Sequence, residues 1–270
     1  MAEKFGLYWW RPGDGKINLG DAISPLVLAH VTGRQIVHAG PQRCDGIAIG
    51  SVFTKRIAKT ENREWPLFVW GSGTLQPKPC RLGRLSVVLA ALRGPHTAGQ
   101  IAGCPDLPFG DPGLFVPEIW PASATPSGRI GLIPHHALLG REEVAQLAAA
   151  LGDVAVIDFT DPDIAATLQV LSECRLIVSS SLHGLVIADA YGIPSLFWNE
   201  GGERNEWKFR DYYAGAGRED YHALPAARII EIAAGGKVAD LPFSCLPAAA
   251  RDTRLADLRR AAAAMPAGTR

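Results

Sequence analysis

Apolar and polar positions along the first half of the chain predict short strands separated by loops and helices. Residues 5–10 are apolar and aromatic and predict a strand, and residues 18–33 carry apolar positions at helical spacing up to a closing glycine. Further short strands are predicted at 35–38, 46–49, 67–70 and 85–92, followed by a helix from Pro95 towards Gly103. The stretch 85–92 is apolar throughout, as expected for a strand covered on both faces.

The same pattern restarts after residues 121–128, which are small, polar and bracketed by prolines, and therefore predict a linker. Strands are predicted at 129–134 and 154–159, and helices at 141–151 and 161–172, the latter with Asp161 as N-cap. The stretch 175–198 predicts strand, turn, helix and strand, with Gly192 and Pro194 ending the helix. Residues 199–213 predict a loop with a short helix, and 228–234 and 251–264 predict two more helices.

Two successive halves of alternating strands and helices predict an α/β fold. Each half is expected to form a Rossmann-like domain, with a parallel sheet covered by helices on both faces. The two sheets are expected to face each other across a cleft, as in the GT-B plan. The predicted domains are 1–122 and 129–245, with a C-terminal helix and tail at 246–270.

The charge balance and the cysteines restrict the functional class. Lys and Arg total 27, as do Asp and Glu, and this balance argues against a nucleic-acid partner. Five scattered cysteines without a CxxC pair or a secretory leader predict reduced thiols, no metal site and a cytoplasmic protein. No apolar run is long enough to cross a bilayer.

The last predicted helix carries several arginines among its alanines. We expect an ordinary surface helix there. The alternative is peripheral contact with the cytoplasmic face of an anionic inner membrane that carries a lipid-linked acceptor.

Four turns that follow predicted strands carry candidate chemistry. They lie at 18–21, 93–95, 134–136 and 179–184, where the carboxyl ends of strands and the amino ends of helices favour anionic ligands. Each turn also has a purely structural interpretation. Asp21 can favour a helix start, Arg93 can pair with a carboxylate, the histidines can form a solvated turn, and the serines can cap a helix.

Taken together, these turns resemble the polysaccharide pyruvyl transferases. The motifs of that family occur here in the same order: N-x-G-D at 18–21, G-S-G at 71–73, R-G-P-x-T at 93–97, G-D-P at 110–112, P-H at 134–136, S-x-x-H-G at 180–184 and K-F-x-D at 208–211. The likeness is strongest to the branch that adds a pyruvate ketal to a bacterial exopolysaccharide.

The resemblance implies a reaction with two substrates and no further cofactor. Phosphoenolpyruvate would donate a pyruvyl group to two hydroxyls of one sugar in an oligosaccharide or lipid-linked saccharide, giving a cyclic ketal and free phosphate. The donor carries a carboxylate and a phosphate close together, so its site needs cationic side chains and backbone N–H groups.

The resemblance also suggests roles for individual residues. His183 is expected to act as general acid and base, Asp21 to orient or deprotonate an acceptor hydroxyl, and Arg93 to act on the donor in catalysis. The residues expected to bind the donor are Ser72, Arg93, His135, His136, Ser180, Ser181, Gly184 and Lys208. The residues expected to bind the acceptor are Trp10, Asn18 and Asp211.

Two other functions fit the same architecture, because a fold does not fix a function. The first is a glycosyltransferase that uses a nucleotide-sugar donor. The second is a glycan-binding subunit without catalytic activity.

Overall fold

The computed structural model describes residues 4–13, 15–53, 65–79 and 87–268. Cys80 and the first two positions of the strand predicted at 85–92 lie outside these ranges. The described chain is α/β, as predicted, and its strands form two five-stranded sheets in which every strand pairing is parallel.

The first sheet has the strand order β2-β1-β3-β4-β5. Its strands are β1 (Lys4–Tyr8), β2 (Gln35–His38), β3 (Gly46–Ile47), β4 (Leu67–Trp70) and β5 (Val87–Ala91). The chain order reverses between β1 and β3. In open parallel sheets such a switch point leaves a crevice at the carboxyl ends of the strands.

The second sheet repeats this topology. Its strands are β6 (Ile130–Ile133), β7 (Val154–Val156), β8 (Leu176–Ser179), β9 (Ser195–Trp198) and β10 (Ala223–Leu224). The order β10-β9-β8-β6-β7 places the corresponding switch point between β6 and β8.

Helices connect and cover these strands. They are α1 (Leu19–Ala22), α2 (Ser24–Thr32), α3 (Pro95–Ala98), α4 (Val116–Ile119), α5 (Glu142–Leu151), α6 (Ile164–Ser172), α7 (Leu182–Tyr191), α8 (Glu203–Ala216), α9 (Ala226–Ala234) and α10 (Ala248–Ala262). Helix α7 is buried almost throughout, and Gly192 ends it in the left-handed conformation, with φ of 73°. This confirms the predicted strand, turn, helix and strand over 175–198.

Three local predictions differ from the structure. The helix predicted over 18–33 is two helices that meet at Ile23. Asp163 rather than Asp161 caps α6, because its carboxylate accepts the Ala166 N–H at 3.0 Å. The helix from Pro95 ends at Ala98 instead of continuing to Gly103.

The prediction of a loop with a short helix over 199–213 was also wrong, because α8 is 14 residues long. Phe209, Tyr212, Tyr213 and Ala216 are buried on one face of α8, at the spacing of a helical stripe. This stripe lies among charged residues and extends past the end of the predicted segment, so the sequence pattern did not reveal it.

The C-terminal helix α10 lies at the surface, as expected, and packs one side against the first sheet through Leu258 and Ala262. Leu258 is fully buried, and its carbonyl accepts a hydrogen bond of 2.8 Å from the Trp70 indole N–H on β4. No helix among the described residues is both long and apolar enough to cross a membrane. The GT-B arrangement and the domain limits stay predictions.

Candidate active site

A cavity of about 400 Å³ lies where the carboxyl ends of strands from both sheets meet. Most of its wall comes from the segments that follow β1, β3, β6 and β8, which are the strands that flank the two switch points, and Pro41, Leu75 and Lys208 complete it. Eight of the residues predicted from the sequence line it: Trp10, Asn18, Asp21, His135, His136, Ser181, His183 and Lys208.

His183 is the second residue of α7, and Ser180 and Ser181 connect this helix to the end of β8. Ser181 is the N-cap of α7, and its N–H donates to the Ser179 hydroxyl at 3.0 Å. A side chain at Gly184 would place its Cβ 2.2 Å from the same hydroxyl oxygen. Gly184 is therefore explained by the packing of this turn, and among the described residues it does not belong to the wall of the cavity.

The imidazole of His183 is held between α1 and a buried carboxylate. Its Nε2 lies 3.8 Å from Asp111 Oδ2. Burial lowers the pKa of His183 to about 3, and the charges of Lys208 and Arg93 act in the same direction. The ring is therefore neutral at neutral pH.

Asp111 was missed as a site residue by the sequence reasoning. Burial raises the pKa of its carboxyl to about 6, while the hydrogen bond from the Gly113 N–H and the charge of Arg93 lower it. The signal for Asp111 in the sequence was the G-D-P motif at 110–112.

The two neighbouring histidines follow β6. The His135 N–H donates to the Ser180 hydroxyl at 2.7 Å, which ties the turn after β6 to the turn after β8. The two imidazoles lie 4.0 Å apart, and the Trp10 ring stacks 6.2 Å from His136. Burial lowers the pKa of His135 to about 4, with further lowering by the charges of Lys208 and His136.

Asp21 and Lys208 bring opposite charges to the same cavity. Burial raises the pKa of Asp21 to about 7, although the charge of Lys208 opposes this rise. Burial and the charge of Arg93 lower the pKa of Lys208 to about 8, while Asp21 acts in the opposite direction. Both groups can therefore exchange protons close to neutral pH.

The raised pKa of Asp21 predicts a pH-dependent cost to stability. In the unfolded chain this carboxyl ionises near its ordinary pKa of 3.8, so between about pH 4 and 7 the folded form retains a proton that the unfolded form loses. The difference between 3.8 and about 7 corresponds to about 4 kcal/mol of stability, which is retained below about pH 4 and lost as the pH rises to about 7, so the full cost of burying the ionised carboxylate is present only above that pH.

Asp21→Asn is therefore expected to raise the melting temperature at pH 8 and to change it little at pH 4. Thermal melts of both proteins across this range measure the effect. A difference that stays constant with pH would show that Asp21 keeps an ordinary pKa.

Arg93 lies behind the cavity and not in its described wall. Its side chain is fully buried, with Nε donating to Asp211 Oδ2 at 3.0 Å, Nη1 to the Ser51 hydroxyl at 2.6 Å and Nη2 to the Thr74 carbonyl at 2.8 Å. This is the structural interpretation left open by the sequence, in which Arg93 pairs with a carboxylate. The positive charge of Arg93 still affects the electrostatic potential in the cavity, because it lowers the pKa of His183 and of Lys208.

Three other predicted residues also lie outside the described wall of this cavity. Asp211 is fully buried and accepts from the Thr97 N–H and hydroxyl at 2.8 and 2.7 Å, in addition to Arg93. Ser72 is fully buried and donates to the Gly50 carbonyl at 2.9 Å. Ser180 is buried and lines an adjoining cavity that shares Leu75 and His135 with the first.

Residues 88–198 match the family model described as polysaccharide pyruvyl transferase. The match confirms the predicted resemblance to this family. The matched segment contains Asp111, His135, His136 and His183, whereas Asp21 and Lys208 lie outside it.

Two curated proteins are also similar to this chain. The succinoglycan biosynthesis protein ExoV of Rhizobium meliloti (strain 1021) is 24% identical over 127 residues, covering 46% of this chain and 39% of the relative. The uncharacterized protein L143 of Acanthamoeba polyphaga mimivirus is 28% identical over 120 residues, covering 42% of each chain. The similarity thus spans about two fifths of each relative.

Proposed function

We propose that this chain is an enzyme that transfers a pyruvyl group from phosphoenolpyruvate to a sugar of an exopolysaccharide or its lipid-linked precursor. The products are a cyclic pyruvate ketal and free phosphate, and no cofactor is needed beyond the donor. The observation that carries the proposal is the cavity in which the histidines of the matched segment meet Lys208 and the amino end of α7.

Positively charged side chains and backbone N–H groups bind the donor. Its phosphate lies at the amino end of α7, where the first N–H groups of a helix and the helix dipole favour an anion. The Lys208 ammonium supplies a full positive charge in the same cavity, and Arg93 adds to the positive potential from behind. His135 and His136 contact the donor from the turn after β6.

The reaction needs one proton donor and one proton acceptor. A proton adds to the methylene carbon, a sugar hydroxyl attacks the adjacent carbon, the bond to phosphate breaks, and the second hydroxyl closes the ketal. One of the two hydroxyl protons replaces the proton given to carbon, and the other leaves with phosphate.

The two pKa values divide these roles between Asp21 and His183. Asp21, with a pKa of about 7, still holds a proton in part of the molecules at neutral pH and serves as the acid. His183 is neutral and serves as the base that accepts a hydroxyl proton. Compared with the roles expected from the sequence, His183 keeps the base step, and the proposal gives Asp21 the acid step instead of the deprotonation of an acceptor hydroxyl.

The acceptor sugar enters beside Trp10 and Asn18. Trp10 is 40% exposed although it lines the cavity, so its ring is free to stack on the apolar face of a sugar. The buried Asp211 supports this site through Arg93 and Thr97 instead of touching the sugar.

Binding of phosphoenolpyruvate separates this proposal from the glycosyltransferase alternative. A ligand that binds only the folded protein at 100 times its Kd stabilises it by about 2.7 kcal/mol. We expect phosphoenolpyruvate to raise the melting temperature and uridine or guanosine diphosphate sugars to leave it unchanged. The reverse pattern would contradict the proposal and favour a nucleotide-sugar donor.

Lys208→Met is expected to weaken donor binding by roughly 10- to 100-fold, because a hydrogen bond to a charged group contributes about 1.5 to 3 kcal/mol. Calorimetric titration with phosphoenolpyruvate measures the change. The control is Lys237→Met, which removes an equal charge from an exposed position. Equal donor affinity in the two variants would remove Lys208 from the donor site.

A further inference from the structure

Two buried polar atoms face each other without a hydrogen-bond partner. They are Asp111 Oδ2 and His183 Nε2, which lie 3.8 Å apart, and neither has a partner within the described parts of the chain. A buried polar atom left without a partner costs about 1–3 kcal/mol. Two such atoms turned towards each other therefore call for a functional explanation.

The direction of the Asp111 carboxylate is fixed by its own turn. Its Oδ1 accepts the Gly113 N–H at 2.9 Å and caps the 3₁₀ turn Pro112–Phe115. This turn packs closely on α7, because a Cβ at Gly113 would lie 2.9 Å from Val186 Cγ1. Oδ2 is consequently held towards the α7 residue His183.

The Nδ1 side of the His183 ring packs against a glycine. A Cβ at Gly20 would lie 1.8 Å from His183 Nδ1, so any side chain at this position would displace the ring. Gly20 lies within α1 and has no positive φ, so its backbone does not require glycine. Since Nε2 is buried, Nδ1 is the nitrogen through which His183 meets a ligand in the cavity.

We propose that Asp111 is a positioning residue that keeps the His183 ring proton on Nε2 and thereby turns the lone pair of Nδ1 towards the cavity. The substrate of this step is the sugar hydroxyl of the proposed function. Its proton passes to Nδ1 while its oxygen forms the new bond to the pyruvyl carbon. The resulting imidazolium is stabilised by a hydrogen bond from Nε2–H to the Asp111 carboxylate, and the proton on Nδ1 is then given to the departing phosphate.

The present separation fits this role. At 3.8 Å the pair is about 1 Å longer than a charge-assisted hydrogen bond. Hydrogen bonds of a catalytic pair are often long without substrate and tighten in the complex. Gly20 contributes to the same arrangement, because a side chain at this position would push the His183 ring out of its place opposite Asp111.

The decisive variant is Asp111→Asn, which retains the shape of the side chain. The amide oxygen can still accept the hydrogen bond from the Gly113 N–H. The amide NH₂ then faces His183 Nε2, and because it can only donate, Nε2 becomes the acceptor and the ring proton moves to Nδ1. Nitrogen-15 NMR of the histidine rings, assigned with a His183→Gln sample, is expected to show Nε2–H in the unaltered protein and Nδ1–H in the variant. We expect kcat to fall by roughly 10²- to 10⁴-fold, as for a base in the wrong tautomer, with the donor Kd nearly unchanged.

Gly20→Ala provides a second test that leaves Asp111 in place. We expect it to lower kcat by at least about tenfold through displacement of the ring, whereas the control Gly235→Ala leaves kcat unchanged because its Cβ would lie 3.7 Å from the nearest atom. Equal kcat in the two glycine variants would overturn the proposal.

The tautomer is measured without substrate, so it tests the pair separately from the proposed function. A ring proton on Nδ1 in the unaltered protein would overturn the role of Asp111, even if Asp111→Asn does not fold. Absence of pyruvyl transfer together with an Nε2–H tautomer would contradict the proposed function and leave the pair intact.

Discussion

His183→Ala is expected to lower the rate of the proposed pyruvyl transfer by roughly 10²- to 10⁴-fold, the usual contribution of a general acid or base. The variant is expected to remain folded, because His183 Nε2 has no partner among the described residues and its removal breaks no hydrogen bond there. Phosphate release from phosphoenolpyruvate in the presence of an acceptor glycan measures the rate.

The matched control is His222→Ala, which removes an exposed imidazole. Its rate should equal that of the unaltered protein. If His183→Ala keeps a rate close to that of the control, His183 takes no part in proton transfer, and the proposed roles of Asp111 and Gly20 fail with it.

Arg93→Met is expected to have the largest effect on stability, lowering the free energy of unfolding by about 3–5 kcal/mol. Arg93 Nη2 and Asp211 Oδ2 lie 2.9 Å apart, and both side chains are fully buried. Removing one partner leaves the other as an uncompensated buried charge, which is the costly way to break such a pair. Denaturant unfolding measures the loss.

The control for this prediction is Arg228→Met, because Arg228 and Glu231 form an exposed pair at 2.6 Å. Exposed pairs contribute at most about 1 kcal/mol. If Arg93→Met were as stable as this control and instead lost donor affinity, Arg93 would bind the donor directly, as first expected from the sequence.

The strand and helix pattern was largely predictable because it depends on local sequence. The short apolar run of β8, the serines that follow it and the glycine at the end of α7 are neighbours in the chain, and each is positioned by backbone rules that act over a few residues. The same rules failed for α8, whose apolar face is made of aromatic residues among many charges.

Whether a site residue lines the cavity or is buried behind it could not be predicted in the same way. Arg93 and Asp211 are 118 residues apart in the chain, and their motifs are as compatible with a buried ion pair as with a ligand contact. The pairing of Asp111 with His183 was missed for the same reason. A turn motif locates a side chain at the end of a strand but does not show which other side chains pack against it.

Product analysis tests the central claim most directly. The protein is incubated with phosphoenolpyruvate and a glycan from which mild acid has removed the pyruvate ketals. The mass of the glycan is then measured by mass spectrometry. We predict a gain of one pyruvate ketal for each phosphate released, and no gain with His183→Ala. A glycan of unchanged mass, or one that gains a sugar when a nucleotide-sugar is supplied, would contradict the account.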